Sequence, residues 1–234
     1  MFPLLTRNVP HVERKILSYL GSTDLVTAAF VCKEWYIATG NKEGKAVLLK
    51  AVLTGCEHLV AYILEDQQIN VNVYTGFGRT ALSISAMYGN VGIVRLLLGK
   101  EDIDVNAAGW NGRSPMIEAV MNGHDRVVKL LLERGDIDVS ARDERRRTAL
   151  ILASIYGHEG IVELLLSRDD IDVNSTDYGG KSALMWGVRN GHERVVELLL
   201  QRTGIDTKAV DLPFAFHKLP LHLCLLMKKM ARLH

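Results

Sequence analysis

The sequence is poor in the features that mark secreted, membrane and nucleic-acid-binding proteins. Its 234 residues include three cysteines, Cys32, Cys56 and Cys224, and the formal net charge is only +1. So few and widely spaced thiols predict free cysteines in a reducing compartment and not a disulfide framework. A charge so close to zero gives no reason to expect nucleic acid or an anionic membrane as a partner.

Long apolar runs and targeting segments are also missing. The longest apolar stretch, residues 219–227, is far shorter than the roughly 20 residues that a membrane-spanning helix needs. The first residues lack a basic stretch followed by a long apolar run, so no secretory signal is expected. Asn174 begins a formal glycosylation sequon that an intracellular chain would not use. We therefore expect a soluble protein of the cytoplasm, the nucleus or both.

What the sequence has in abundance is repetition. An Ile-Asp-Val-Asn-like phrase and a single glycine each return every 34 residues over five copies. The phrases begin at Ile69, Ile103, Ile137, Ile171 and Ile205, and the glycines are Gly55, Gly89, Gly123, Gly157 and Gly191. A fixed period of this length is typical of stacked-repeat proteins, in which one unit cannot bury its apolar face without its neighbours.

Each unit predicts two helices and a loop. Ser114 is placed to cap the first helix and Pro115 suits its first turn; Thr80, Thr148 and Ser182 stand at the same cap position. The recurrent glycine should end that helix in a left-handed conformation. The second helix is apolar around much of its circumference and should be covered on more than one side. The Ile-Asp-Val-Asn phrase should be extended, and the glycine-containing stretch after it should turn the chain back.

The repeated pattern G-x-[ST]-[AP]-[LM]…A…G-H-x-x-[IV]-V-x-L-L-L…D-V-N resembles the ankyrin repeat over residues 44–206. The resemblance implies an all-α fold, an ankyrin-repeat α-solenoid with short β-hairpin loops. The period is one residue longer than the family's usual value of about 33. The histidine of the family's Thr-Pro-Leu-His motif is replaced, so its hydrogen bond to the hairpin must be made otherwise or lost. The replacements are Leu49, Ser83, Ile117, Ile151 and Met185.

A different, non-repeating segment precedes the repeats. Pro10 suits a helix start, and Val12, Ile16 and Leu20 follow on one face of that helix. Together with the Val-Cys-Lys-Glu-Trp stretch at 31–35, this segment resembles the F-box from Val9 to about Ala38. Val9 departs from the family's opening leucine.

The F-box resemblance implies docking onto the Skp-type adaptor of a cullin ubiquitin ligase. The predicted adaptor-contact residues are Pro10, Ile16, Leu17, Leu20, Leu25, Val31, Cys32 and Trp35. The alternative is that the segment only caps the repeat stack. The predicted organisation is a small N-terminal helical module (1–43), five ankyrin repeats (44–210), and a degenerate sixth repeat or capping helix (211–234). Only residues 41–43 separate module from repeats, so we expect a fairly fixed angle between them.

Metal, phosphate and catalytic motifs fail at their decisive positions. Asp170, Asp172 and Asn174 imitate an EF-hand loop, but Ser175 and Lys181 stand where glycine and glutamate are needed. His158-Glu159 opens like a zinc-protease motif whose second histidine is replaced by Val162. The histidines His124, His158 and His192 recur once per repeat, about 10 Å apart, and are predicted to be turn residues. Gly180-Lys181-Ser182 fits the hairpin better than a phosphate loop.

No metal, cofactor or catalytic residue is therefore predicted. The ankyrin resemblance instead implies a protein-binding groove formed by the hairpin tips and the exposed face of the first helices. Aromatic side chains at tips have no core to fill and are typical interface anchors. The predicted groove residues are Trp110, Tyr178, Trp186, Arg189, Met87, Tyr88 and Tyr156. Packing between repeats is an equal alternative for Trp186.

Two further expectations concern the same groove. The position that Trp186 shares with Ile84, Glu118 and Leu152 should be exposed on the first helices. The run from Arg145 to Arg147 should be a solvated hairpin tip, with nucleic acid as its alternative role. The function favoured by these patterns is a non-catalytic adaptor that recruits an unidentified protein substrate to the ligase. The alternatives are an ankyrin scaffold or inhibitor with no link to ubiquitination, and an enzyme whose site is not recognised.

Overall fold

The structure is a computed structural model that describes residues 44–66, 69–207, 210 and 217–230. The predicted F-box-like module and all its adaptor-contact residues lie outside these ranges. The described part contains eleven helices, arranged as five consecutive pairs followed by one terminal helix. The pairs are α1 (Gly44–Leu53) and α2 (Glu57–Leu64), α3 (Ala81–Met87) and α4 (Val91–Leu98), α5 (Pro115–Met121) and α6 (Asp125–Leu132), α7 (Ala149–Tyr156) and α8 (Glu159–Leu166), and α9 (Ala183–Asn190) and α10 (Glu193–Leu200). The terminal helix is α11 (Leu221–Met230).

The first helix of four pairs begins with the predicted side-chain cap. The Thr80 hydroxyl accepts a hydrogen bond from the Ser83 amide at 3.1 Å, and the other three caps repeat this bond. They are Ser114, Thr148 and Ser182. Pro115 occupies the first turn of α5, where its missing amide proton has no partner to lose. The prediction of helix starts from cap residues is confirmed.

The pairs stack in one direction, with first helices packed on first helices and second helices on second helices. Fully buried side chains such as Leu82, Ile117 and Ile151 from the first row meet Ile93 and Val127 from the second row in one continuous apolar core. From α3 onward, neighbouring first helices contact each other more extensively than neighbouring second helices do. The first helices therefore form the more closely packed of the two rows.

The recurrent glycines are left-handed, as predicted, and they also leave room for the next repeat. Gly157 has a φ of +73°, and a methyl group on it would lie 2.6 Å from the ring of His192. Gly89 meets His124 in the same way, and Gly123 meets His158. Any side chain at these positions would meet a histidine of the next repeat as well as an unfavourable backbone conformation.

The histidines do more than occupy a turn. Nε2 of His192 donates to the carbonyl oxygen of Ile155 at 3.1 Å, and Nε2 of His124 donates to that of Met87 at 3.0 Å. Each bond ties the start of one second helix to the preceding repeat. Nε2 of His158 is buried without a hydrogen-bond partner among the described residues. The prediction that these are turn residues was correct in position but missed this role.

Four of the five Ile-Asp-Val-Asn-like phrases, those that begin at Ile69, Ile103, Ile137 and Ile171, end in a tight turn, so the expectation of an extended segment was wrong for them. In each turn the aspartate or asparagine side chain accepts the amide two residues on, as Asp104 Oδ1 does from Asn106 N at 3.0 Å. This local bond competes with an extended backbone. The turn also aims the asparagine at the next loop. Asn106 Nδ2 donates to Asp136 O, and Asn106 Oδ1 accepts from the Asp138 amide.

Asn72 and Asn174 make the same pair of bonds to their next loops. Ser140 stands at the equivalent place in the third loop, and its hydroxyl donates to Asp138 Oδ1 within its own turn. The asparagine ladder is therefore interrupted there. Arg142 offsets part of the loss, because its guanidinium donates to Thr176 O at 3.0 Å in the following repeat.

Basic side chains at the ends of second helices form a second ladder. Arg134 donates to Leu98 O at the end of the preceding second helix, and Arg168 donates to Leu132 O. A cation there satisfies carbonyls that the helix leaves unpaired. Each arginine also binds an aspartate two residues on, and this hydrogen bond lowers the pKa of Asp136 and of Asp170.

The hairpins are reduced to tight turns with single antiparallel bridges, Tyr74 with Thr80 and Thr176 with Ser182. No longer strand occurs in the part of the chain that the structure describes. A left-handed residue closes each of the four tips. Three of these residues are glycines, but the third tip uses Arg146 with a φ of 60°. An arginine in this conformation costs about 1–2 kcal/mol.

The terminal helix α11 covers the end of the stack. Its Leu223, Cys224 and Met227 are buried, and the helix packs against α10. Burial raises the pKa of the Cys224 thiol. Within the described ranges, every helix is too short or too polar to cross a lipid bilayer.

Candidate interaction surface

The hairpin tips and the first helices form one continuous surface. Trp186 of α9 donates through its indole Nε1 to Asp177 Oδ2 at 2.9 Å, which joins a first helix to the fourth tip. At the first and second tips, a cleft reaches from Phe77 and Trp110 down to Glu118 of α5. Ligands on this surface would touch loops and helices together, as the ankyrin resemblance implies.

An aromatic pair marks the first two tips. Trp110 is 76 % exposed and Phe77 is 74 % exposed, with their ring centroids 6.3 Å apart at an interplanar angle of 67°. Gly78 lies under the indole, because a methyl group there would be 2.5 Å from the ring. The Trp110 ring is thus held by a neighbouring backbone while most of its surface faces solvent. Phe77 was not among the predicted groove residues, since it stands one residue after the tip position that Gly76 shares with Trp110 and Tyr178.

A buried carboxylate lies at the base of this cleft. Glu118 is only 3 % exposed, and its Oε1 is 3.3 Å from Arg79 Nε. Arg113 lines the same cleft, and its Nε is buried with no hydrogen-bond partner among the described residues. The cleft encloses about 150 Å³. Its walls therefore combine two aromatic rings, one matched ion pair and one unmatched guanidinium group.

A second group of aromatic and basic side chains lies on the third and fourth tips and on α9. Tyr178 is 73 % exposed, and the guanidinium carbon of Arg146 is 5.8 Å from its ring centroid. Trp186 is half-buried, with Lys181 and Arg189 at 4.8 Å and 5.7 Å from its ring. Contacts of this kind are cation–π interactions. Trp186 thus packs inside this group and still offers part of its ring to a ligand.

The remaining predicted groove residues lie at the ends of first helices. Tyr88 and Tyr156 are exposed, Arg189 is exposed, and Met87 is half-buried. The Tyr156 ring stacks on His158 with the centroids 5.9 Å apart. Whether any of these side chains binds a partner stays a prediction.

Two expectations about exposure were wrong. Ile84, Glu118 and Leu152 are buried, and Glu118 lies at the base of the cleft, paired with Arg79, instead of on an exposed helix face. Arg147 is largely buried and forms an ion pair with Asp143, so only Arg145 and Arg146 of the arginine run are solvated. The Asp143 carboxylate also accepts the Arg145 and Arg147 amides and so helps to hold the tip in shape.

No cluster of three or more histidine, cysteine, aspartate or glutamate side chains with metal-binding geometry occurs within the described ranges. The carboxylates of the EF-hand-like loops are used in local turns and in arginine pairs, as with Asp172 and Asp170. The Lys181 amide donates to Asp177, which belongs to the hairpin and not to a phosphate loop.

Comparison with known families agrees with this architecture. The family model described as ankyrin repeats, built of three copies, matches residues 48–143 and again 137–211. These matches cover more than half of the chain, which therefore belongs to the ankyrin-repeat family. The model of the F-box domain matches residues 10–45. The chain is thus an F-box protein with ankyrin repeats, and both are modules of protein interaction. No curated protein matches it.

Proposed function

We propose that the chain is a substrate-recruiting subunit of a ubiquitin ligase of the SCF type. The F-box domain would bind the Skp-type adaptor, and the ankyrin groove would bind the protein to be ubiquitinated. The observation that carries the proposal is the occurrence of both interaction modules in one chain. Such a protein would act in the cytoplasm or the nucleus.

The spacing of the two modules supports this role. The F-box match ends at residue 45 and the ankyrin match begins at residue 48, so almost no linker separates them. Helix α1 already begins at Gly44. A substrate in the groove would then be held at a restricted distance from the ligase, which a long flexible linker would not provide.

Two double variants test the proposal, one designed to lose adaptor binding and the other to lose binding in the groove. Pro10→Ala with Leu17→Ala removes apolar contact from the F-box, whereas Trp110→Ala with Tyr178→Ala removes aromatic surface from the groove. We expect the first variant to lose the adaptor and keep its other protein partners. The second should keep the adaptor and lose those partners. Co-isolation of each variant from cells, followed by mass spectrometry, reads out both sets.

The alternative of a scaffold without a ligase has a distinct outcome. Wild type would then retain groove-dependent partners and capture no Skp-type adaptor. Circular dichroism and thermal melting provide the folding control. The two tip residues are largely exposed, so their replacement should leave the melting temperature nearly unchanged.

A further inference from the structure

The cleft between the first two tips has an unusual charge arrangement for a surface lined by aromatic rings. Arg79 is committed to the buried carboxylate of Glu118. Among the described residues, Arg113 forms no ion pair with an acidic side chain, and its buried Nε has no hydrogen-bond acceptor. A buried donor without a partner is costly, and the great majority of such groups in folded proteins are satisfied. The cleft therefore lacks one anionic or carbonyl acceptor.

The neighbouring tip extends this positive character. The Glu144 amide donates to Asn111 O at 3.0 Å, so the third tip lies directly beside the second. That tip exposes Arg145 and Arg146, while its Asp143 is already neutralised by Arg147. Glu144 is the one exposed acid of this tip, at residues 142–147. Arg113, Arg145 and Arg146 therefore give this part of the groove a basic character that Glu144 offsets only in part.

The aromatic rings supply the second half of the recognition. Phe77 and Trp110 are exposed, in edge-to-face contact, and the Trp110 ring is held against Gly78. A held aromatic ring binds an apolar side chain without a large loss of conformational freedom. A cavity of about 150 Å³ accepts a group the size of benzene. One side chain of a partner fits this space.

From these features we infer that the cleft lined by Phe77, Arg79, Trp110, Arg113 and Glu118 binds an acidic peptide segment of a protein partner. A carboxylate of the segment pairs with Arg113, and an adjacent apolar or aromatic side chain packs on Trp110 and Phe77. The inference rests on the proposed function, in which the groove holds the substrate, and it names the chemistry of the substrate segment. A basic segment is disfavoured because Arg79 already matches Glu118.

Selection of a displayed library of random short peptides on the full-length purified chain tests this inference without any adaptor. We expect wild type to enrich peptides that carry aspartate or glutamate next to an aromatic or large aliphatic residue. Binding of the enriched peptides should fall about tenfold or more in Trp110→Ala and in Arg113→Gln, as for interface anchors. Arg126→Gln, which removes an exposed charge from α6, is the matched control and should bind like wild type.

A charge reversal separates recognition from a purely structural role of the arginine. Arg113→Glu should change the selected peptides from acidic to basic, which a merely misfolded tip would not do. Enrichment of basic peptides by wild type would overturn the inference, and so would acidic peptides whose binding is equal in wild type, Trp110→Ala and Arg113→Gln. Absence of any enriched peptide would also overturn it. Adaptor capture is measured in a separate experiment. Failure of the peptide selection would therefore leave the ligase role standing, and failure of adaptor capture would leave the peptide-binding cleft standing.

Discussion

Replacing Gly157 by alanine should destabilise the stack through two separable effects. The first is backbone strain, because a residue with a side chain in the left-handed conformation costs about 1–2 kcal/mol. The second is displacement of His192, whose ring would lie 2.6 Å from the added methyl group. Movement of that ring breaks its hydrogen bond to Ile155 O, worth about 0.5–1.5 kcal/mol. We expect a total loss of about 2–3 kcal/mol in the free energy of unfolding.

Gly180 provides the matched control for the first effect. Its φ of +68° is close to that of Gly157, but no atom lies within 4 Å of an added methyl group. Gly180→Ala should therefore cost only the backbone strain. In a His192→Ala background the extra cost of Gly157→Ala should vanish, because the obstructing ring is gone.

Urea denaturation followed by circular dichroism measures all four variants. Loss of contact between neighbouring repeats in a nearly one-dimensional array should also broaden the transition of Gly157→Ala. Equal losses for Gly157→Ala and Gly180→Ala would refute the steric role assigned to His192. An unchanged midpoint for both would refute the left-handed strain itself.

Three further predictions concern single interactions of the stack. Asn106→Ser should lower the free energy of unfolding by about 1–2 kcal/mol and Ser140→Asn should raise it, because they remove or add a pair of loop hydrogen bonds; equal urea midpoints would contradict the ladder. Arg146→Gly should stabilise the chain by about 1 kcal/mol by relieving its left-handed conformation; a melting temperature that stays the same or falls would contradict this and show that the contact with Tyr178 outweighs the strain. Cys224 should resist thiol reagents at neutral pH, as judged by mass spectrometry of labelled peptides. Burial raises the pKa of the Cys224 thiol in the folded state, so the neutral thiol stabilises the docked α11, and this stabilisation is lost as the pH rises through the raised pKa of the thiol. Rapid labelling at neutral pH would contradict the burial.

Local sequence signals were sufficient for most of the fold. A hydroxyl side chain before an apolar run predicts a helix start because it satisfies a free amide of that same helix, and Thr80, Ser114, Thr148 and Ser182 do so. The recurrent glycines were predicted to be left-handed for a similarly local reason. Their contact with histidines of the next repeat was not predictable in this way, because it exists only once repeats are stacked.

The interaction surface was less predictable because its chemistry arises between repeats. Trp110 and Tyr178 were recognised as aromatic residues at tips where no core needs them, and both are exposed. The pairing of Arg79 with Glu118 joins two repeats, and no spacing within either repeat indicates it. Glu118 was expected to be exposed because its partner, Arg79, belongs to the preceding repeat and is not indicated by the sequence around Glu118. Phe77 was not predicted, because the residue of its own repeat that corresponds to Trp110 is Gly76, and Phe77 stands one residue later.

The central claim is that this chain joins a Skp-type adaptor to a protein held by the ankyrin groove. Its most direct test is binding of the purified full-length chain to a purified Skp-type adaptor, measured by calorimetry. We predict a complex at micromolar concentrations, corresponding to about 8 kcal/mol. Pro10→Ala with Leu17→Ala should reduce it to barely detectable binding, since truncating one buried leucine costs about 2–5 kcal/mol, while the melting of the ankyrin array stays unchanged. Absence of binding by the wild-type chain at micromolar concentrations would contradict the ligase role and favour a scaffold.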